Sequence, residues 1–179
     1  MIILGVDPGT IVTGYGVIES RKGVLKMIAC GAINNTARQP MGIRLKKIYD
    51  SLIEVITDYK PDEFAIETAF YGKNAQSALK LGQARGVAML AAVSNNLPLM
   101  EYSPREVKKA IVGNGTASKQ QVQFMVTSIL KLTKIPEKYD VADALAVAIC
   151  HLHRMMKPEK KGFSSWKAFV AANPEKVRA

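Results

Sequence analysis

The chain has only two cysteines, Cys30 and Cys150, far apart and in no metal-like spacing. A cysteine-ligated metal is thereby excluded, and both are expected to be small buried residues of a reduced, cytosolic protein. Long apolar runs are missing as well: no stretch approaches the roughly 20 residues needed to span a membrane. The first residues reach Asp7 too soon for a signal peptide and carry no basic leader. A cytoplasmic protein without a membrane partner is expected. Acids are scarce beside bases, with 15 Asp and Glu against 25 Lys and Arg, a net charge of +10 and a pI near 9.6. An excess of that size is expected of a protein that sits on a polyanion.

What is present fits a globular domain. The hydrophobic fraction is 48% over 179 residues, enough for one domain with a real core. Residues 2–6 form a short apolar run closed by Asp7-Pro8-Gly9, which reads as a buried strand ending at a turn. Residues 13–19 and 24–31 follow as strands with a hairpin turn at 20–23. Ile43, Leu45, Ile48, Leu52, Ile53, Val55 and Ile56 recur at helical spacing over 41–59, and Pro61 ends that helix. A strand at 64–67 exits into Glu67. A helix over 75–95, a strand over 97–102 and helices near 104–112, 118–131 and 140–155 complete the core. Strands first, then alternating helix and strand, predict an α/β domain with a mixed sheet over residues 1–156. Function gathers at the carboxyl ends of such strands, where Asp7 and Glu67 lie.

Residues 157–179 differ in character. From His151 onward Arg154, Lys157, Lys160, Lys161, Lys167, Lys176 and Arg178 face only Glu159 and Glu175, half of the net charge. A mobile basic tail is expected, with one turn of helix near 165–170 where Trp166, Phe169 and Val170 form a small apolar face. His151 and His153 are two apart on a helix end, so they do not face together, and both are expected at the surface. There are no internal repeats.

Four acids carry the chemistry. Asp140 and Asp143 lie three apart at the start of an Ala-rich helix and share a face. Taken alone, Asp140 could cap that helix and Asp143 could favour its dipole. Asp7 could equally be a turn residue, and Glu67 could end a strand in solvent. Gathered at one spot, however, two such charges 4 Å apart repel by roughly 4 kcal/mol at an effective dielectric near 20. A cation is needed to hold them. All-carboxylate ligation without a His or Cys cluster suits Mg²⁺, or Mn²⁺, rather than zinc. Two such ions can activate water and stabilise a leaving oxygen in phosphodiester hydrolysis.

The residues that carry a family resemblance run in order along most of the chain. They are Ile3-Leu4-Gly5-Val6-Asp7-Pro8-Gly9-Thr10 with Thr13-Gly14-Tyr15-Gly16, then Ala65-Ile66-Glu67. Next come Ser77-Ala78-Leu79-Lys80-Leu81-Gly82-Gln83-Ala84-Arg85-Gly86 and Asp140-Val141-Ala142-Asp143-Ala144-Leu145-Ala146. Together they resemble the RuvC Holliday-junction resolvases, from residue 2 to about residue 155. The resemblance implies an RNase H-like fold with a mixed five-stranded sheet flanked by helices. It also implies Mg²⁺-dependent nicking of two symmetry-related strands of a four-way junction in recombination and repair, alongside the RuvA–RuvB branch-migration machinery. It places Asp7, Glu67, Asp140 and Asp143 as catalytic and metal-binding acids around one or two ions. The tail beyond residue 157 lies outside it.

Further contacts to DNA are expected around these acids. Phe70 and Tyr71 follow the Glu67 strand on a loop, where exposed aromatics can stack on unpaired bases for about 1–3 kcal/mol each; Phe70 matches the family's base-stacking position. Lys108 lies in a helix and Lys119 opens another, where a helix N-terminus with a lysine can cradle a phosphate. Lys73, Lys80 and Arg85 are further candidates. The long helix carries Ala75, Ala78, Gly82 and Gly86 at spacings of three and four. Glycine there costs roughly 1 kcal/mol against alanine, so close packing must offset it, either on the chain's own sheet or at a homodimer interface. A two-fold junction calls for two equivalent sites, which favours Ala78, Gly82 and Gly86 as dimer contacts. Other readings compete. Asp7-Pro8-Gly9-Thr10 also resembles the first phosphate loop of sugar-kinase and actin-like ATPases, but the chain is too short for their second domain. A junction-binding module that does not cut would leave the acid set without purpose. An RNase H-like nuclease with another substrate is separated chiefly by the Leu81-Gly82-Gln83-Ala84-Arg85-Gly86 segment.

Overall fold

The structure is a computed structural model that describes residues 1–68 and 75–156, together with Lys167, Val170 and Ala171. Phe70, Tyr71, Lys73 and nearly all of the basic tail lie outside the described residues. In chain order the elements are β1 (Ile2–Asp7), β2 (Val12–Arg21), β3 (Val24–Asn34), α1 (Met41–Tyr59) and β4 (Glu63–Glu67). They continue as α2 (Ala75–Ser94), β5 (Leu99–Tyr102), α3 (Pro104–Val112), α4 (Lys119–Ile129) and α5 (Tyr139–Met156). The strands form one mixed five-stranded sheet in the order β3-β2-β1-β4-β5. β1 pairs antiparallel with β2 and parallel with β4, and β5 continues the parallel half.

Lys22 and Gly23 close the β2–β3 hairpin with φ of 51° and 77°. Two consecutive left-handed residues make the primed two-residue turn whose twist matches that of the strands. The hairpin is longer than expected, because β3 runs on through Ala32 and the buried Ile33 to Asn34, which pairs with Val12.

Side-chain alternation divides the core into two layers. Leu4, Val6, Phe64 and Ile66 pack with Ile48 and Leu52 of α1 and Ala84, Ala88 and Ala91 of α2. On the other face Ile3 and Ala65 pack with Val107, Val122, Leu145 and Ile149 from α3, α4 and α5. α3 and α4 both start at capping boxes, Ser103 with Glu106 and Ser118 with Gln121, which satisfy free N–H groups at each helix start.

α5 lies unusually close to the sheet. A Cβ placed on Gly5 would meet the Ala144 carbonyl oxygen at 2.2 Å, and one on Gly14 would meet that of Asp140 at 2.0 Å. No side chain fits at either position, and glycine within a strand is the usual mark of such backbone contact.

One expectation needs correction. His151 is buried, not superficial, with 3% of its surface exposed. Its Nδ1 lies 2.7 Å from the Tyr102 hydroxyl, while Nε2 faces Glu63 at 3.5 Å. That second contact is too long for a hydrogen bond and leaves an electrostatic contact. Burial therefore lowers the His151 pKa, against the opposing pull of Glu63. The surface placement fails for His151 because the apolar body of α5 continues through Leu152, also buried. Of the two packings open to Gly82 and Gly86, the chain's own sheet is not the one used: a Cβ on either would meet nothing within 4 Å. α2 packs inward through Ala84, Ala88, Ala91 and Ala92 instead. Among the described residues no helix is long and apolar enough to cross a membrane.

Candidate active site

Strand parity brings the first two acids together. Ile3 and Ala65 point to the α5 side, so Asp7 and Glu67, at even steps beyond them, point there too. The parallel register sets Gly5 beside Ala65 and Val6 beside Ile66, so Asp7 and Glu67 follow side by side at the strand ends. Beyond β1 the loop is tied back: the Thr13 hydroxyl donates to the Gly9 carbonyl at 2.7 Å and accepts from the Gly9 N–H at 3.3 Å. Thr13 itself is fully buried.

The second pair arrives with α5. Asp140 is the second residue of that helix and Asp143 lies one turn on, both half-buried. The backbone contact of α5 with Gly5 and Gly14 sets both acids over the Asp7 end of β1. Asp7 feels them directly: its carboxyl is pushed up to about 7, first by burial and then by the charges of Asp143 and Asp140. Glu67 is pushed up to about 9 by burial, by Asp7 and by Asp143, and its protonated side chain donates a hydrogen bond to Asp7. The pair therefore favours keeping a proton, because ionising both would set adjacent like charges in a half-buried cleft.

Across from them stands Lys119, the first residue of α4, with Nζ 3.0 Å from Asp143 Oδ2. Its Nζ also lies 5.9 Å from the centre of the Tyr139 ring. Burial would lower the Lys119 pKa, but the hydrogen bond and charge of Asp143, aided by Asp7 and Asp140, raise it overall. Asp7, Glu67, Asp143, Lys108 and Lys119 line a cleft of about 260 Å³. Pro8, Thr68, Leu81, Pro104, Val107 and Val122 complete its walls. Among the described residues, no three acidic, histidine or cysteine side chains are gathered tightly enough to enclose an ion. The donor set nevertheless suits a hard cation, being all oxygen and carrying more negative charge than the site can hold ionised.

The other expected contacts are placed unevenly. Lys80 is exposed on α2 and is not among the cleft-lining residues, although its neighbour Leu81 is. Arg85 is turned to the β5 residue Glu101 in an ion pair and is half-buried. Ala78 is half-buried, whereas Leu79, Leu90 and Val93 are 67%, 56% and 60% exposed on the helix that carries Gly82 and Gly86. Sequence reasoning passed over Gly5 and Gly14, whose position inside apolar strands signals the approach of α5, and over both Ser-x-x-Glu/Gln capping boxes.

This architecture, with acids at the ends of two adjacent parallel strands and on a helix packed across them, is an α/β RNase H-like fold. The family profile described as crossover junction endodeoxyribonuclease RuvC matches residues 3–151. The protein of that name from Salinibacter ruber is 47% identical over 177 residues, covering 99% of both chains. The one from Idiomarina loihiensis is 53% identical over 156 residues, 85% of this chain and 87% of its own. The solved structure of T. thermophilus RuvC in complex with Holliday junction substrate superposes with a TM-score of 0.82 at 31% identity, covering 87% of this chain and 94% of that one. The chain belongs to the RuvC family.

Proposed function

We propose that this chain is a structure-selective endodeoxyribonuclease that resolves four-way DNA junctions by paired, symmetric, metal-dependent nicks. The observation that carries this reading is the meeting of Asp7, Glu67 and Asp143 in one cleft walled by Lys108 and Lys119. Asp7, Glu67, Asp140 and Asp143 are the residues to hold Mg²⁺, with Mn²⁺ as a substitute, as one or two ions. When bound, the metal supplies the positive charge that lets water attack a phosphodiester and stabilises the leaving oxygen.

The chain's own groups do the rest. Asp7 and Glu67, half-buried at the ends of β1 and β4, present their carboxyls at the cleft. Lys108 and Lys119 offer ammonium groups to the non-bridging oxygens of the backbone phosphate. Phe70 and Tyr71 stack on bases opened at the junction, and Lys73, Lys80 and Arg85 add backbone contacts at the periphery, Arg85 after release from Glu101. The basic tail, residues 157–179, adds non-specific attraction to DNA.

Two cuts need two equivalent sites. The outward face of α2 supports a homodimer: its apolar side chains are exposed, and Gly82 and Gly86 leave room for a second backbone to approach. Family membership supports cooperation with the RuvA–RuvB branch-migration complex and a cytoplasmic setting.

The test is incubation of the purified protein with a synthetic four-way junction and with plain duplex of the same sequence, each with and without Mg²⁺. Paired nicks on the junction alone, and only with metal, are expected. Junctions bound but left intact would favour a binding module, and equal cutting of duplex would indicate an RNase H-like nuclease with another substrate.

A further inference from the structure

Asp143 already has a cation. The Lys119 ammonium sits 3.0 Å from its Oδ2. The lysine is held at the start of α4 by the Ser118–Gln121 capping box, so its stem is anchored where it can reach the cleft. It acts on more than one acid: Asp7 and Glu67 are both drawn down by its charge. The side chain is still 58% exposed and can swing into solvent on its flexible stem. The described acids, meanwhile, are not gathered tightly enough to enclose an ion.

We infer that Lys119 is a built-in counter-cation that competes with the divalent metal for Asp143, so that loading the site requires the lysine to leave. This rests on the reading that the four acids hold the metal. An oxygen that accepts from an ammonium has one fewer lone pair for a metal ion. Two cations on one carboxylate also repel each other, the more so where half-burial limits screening. The lysine thus keeps the metal-free cleft from carrying bare negative charge, and it weakens metal affinity in doing so. Its contact with phosphate, proposed above, would give the displaced ammonium a second partner.

The experiment is Mn²⁺ binding to the full chain without DNA, followed at neutral pH through the electron paramagnetic resonance signal of free Mn²⁺. Lys119→Met should bind Mn²⁺ about three- to tenfold more tightly than the unsubstituted protein. Lys119→Arg, which keeps the charge, should stay within about twofold of it. Asp7→Asn should weaken binding in either background, which locates the ion at the carboxylates. Circular dichroism checks that each variant is folded. If Lys119→Met binds Mn²⁺ no more tightly while Asp7→Asn still weakens it, competition is refuted and the carboxylate site stands. If Lys119→Arg tightens binding as Met does, charge is not the cause and the inference falls. Binding indifferent to Asp7→Asn would place the ion elsewhere, overturning both this inference and the metal reading on which it rests.

Discussion

Replacing Glu67 by glutamine removes a half-buried ionisable group while keeping its shape and a donor for Asp7. In the metal-free protein the Glu67 carboxyl is pushed up to about 9 from an ordinary 4.5, by burial first and then by the charges of Asp7 and Asp143. A carboxyl whose folded pKa exceeds its unfolded one binds its proton more tightly when folded. It costs nothing below the unfolded value, and the cost grows as pH rises from about 4.5 towards 9. At about 1.4 kcal/mol per pH unit the penalty at pH 8 has a ceiling of about 5 kcal/mol. Water entry and proton sharing with Asp7 reduce that to roughly 2–3 kcal/mol. Glu67→Gln should therefore be more stable than the unsubstituted chain at pH 8 in a chelator, by roughly 4–12 °C in Tm for a chain of this size. The gap should close as pH falls to about 4.5. Thermal unfolding followed by circular dichroism at pH 5, 6.5 and 8 reads the gap directly. Saturating Mg²⁺ should raise the Tm of the unsubstituted chain more than that of the variant, and the variant should not cut junctions. A variant less stable at pH 8, or a gap that does not change with pH, would refute the account of Glu67 as a strained, proton-holding acid.

Other perturbations separate the parts of the site. Asp7→Asn should bind four-way junctions as well as the unsubstituted protein, or more tightly because a negative charge is gone, yet leave them uncut; substantial residual cleavage in a gel assay would remove Asp7 from the chemistry. Leu90→Glu places a charge on the exposed face of α2, where Leu90 is more than half in solvent, so Tm should move little. Sedimentation should then show monomers at micromolar concentration, and junction cutting should shift from paired to single nicks. An unchanged dimer would take that face out of the interface. Junction affinity should fall steeply between 50 and 200 mM salt, as phosphate contacts release counterions; a flat response in a filter-binding assay would contradict a phosphate-based interface.

Much of the fold is legible along the chain because its elements announce themselves locally. Short apolar runs that end in an acid mark β1 and β4, the 3.6-residue period marks α1, and Pro61 stops that helix where expected. Even the side of the sheet on which Asp7 and Glu67 emerge follows from counting by twos from Ile3 and Ala65. What cannot be read locally is which strands are neighbours and how near α5 comes. The pairing of β1 with β4 spans the whole of α1, and the close approach of α5 depends on backbone atoms opposite Gly5 and Gly14. His151 was misplaced for a related reason: helical spacing says which residues share a face, not which side of the helix is covered. Arg85 looked available for DNA, but its partner Glu101 lies on a strand that pairs with it only through the fold.

The two sides of the cleft differ in stiffness. On one, Asp140 and Asp143 are carried by a helix whose main chain rests on main chain at Gly5 and Gly14, and such a contact has no rotamers to change. On the other, Lys108 and Lys119 extend long side chains from helix surfaces, with Lys119 more than half in solvent. Like a vice with one fixed jaw and one sprung jaw, the site can hold its carboxylate spacing constant while the lysine side adapts to backbones arriving at slightly different angles. Tolerance to irregular DNA geometry therefore resides in the lysines, and a substitution that adds a single methyl group at Gly5 or Gly14 would shift the jaw that is meant not to move.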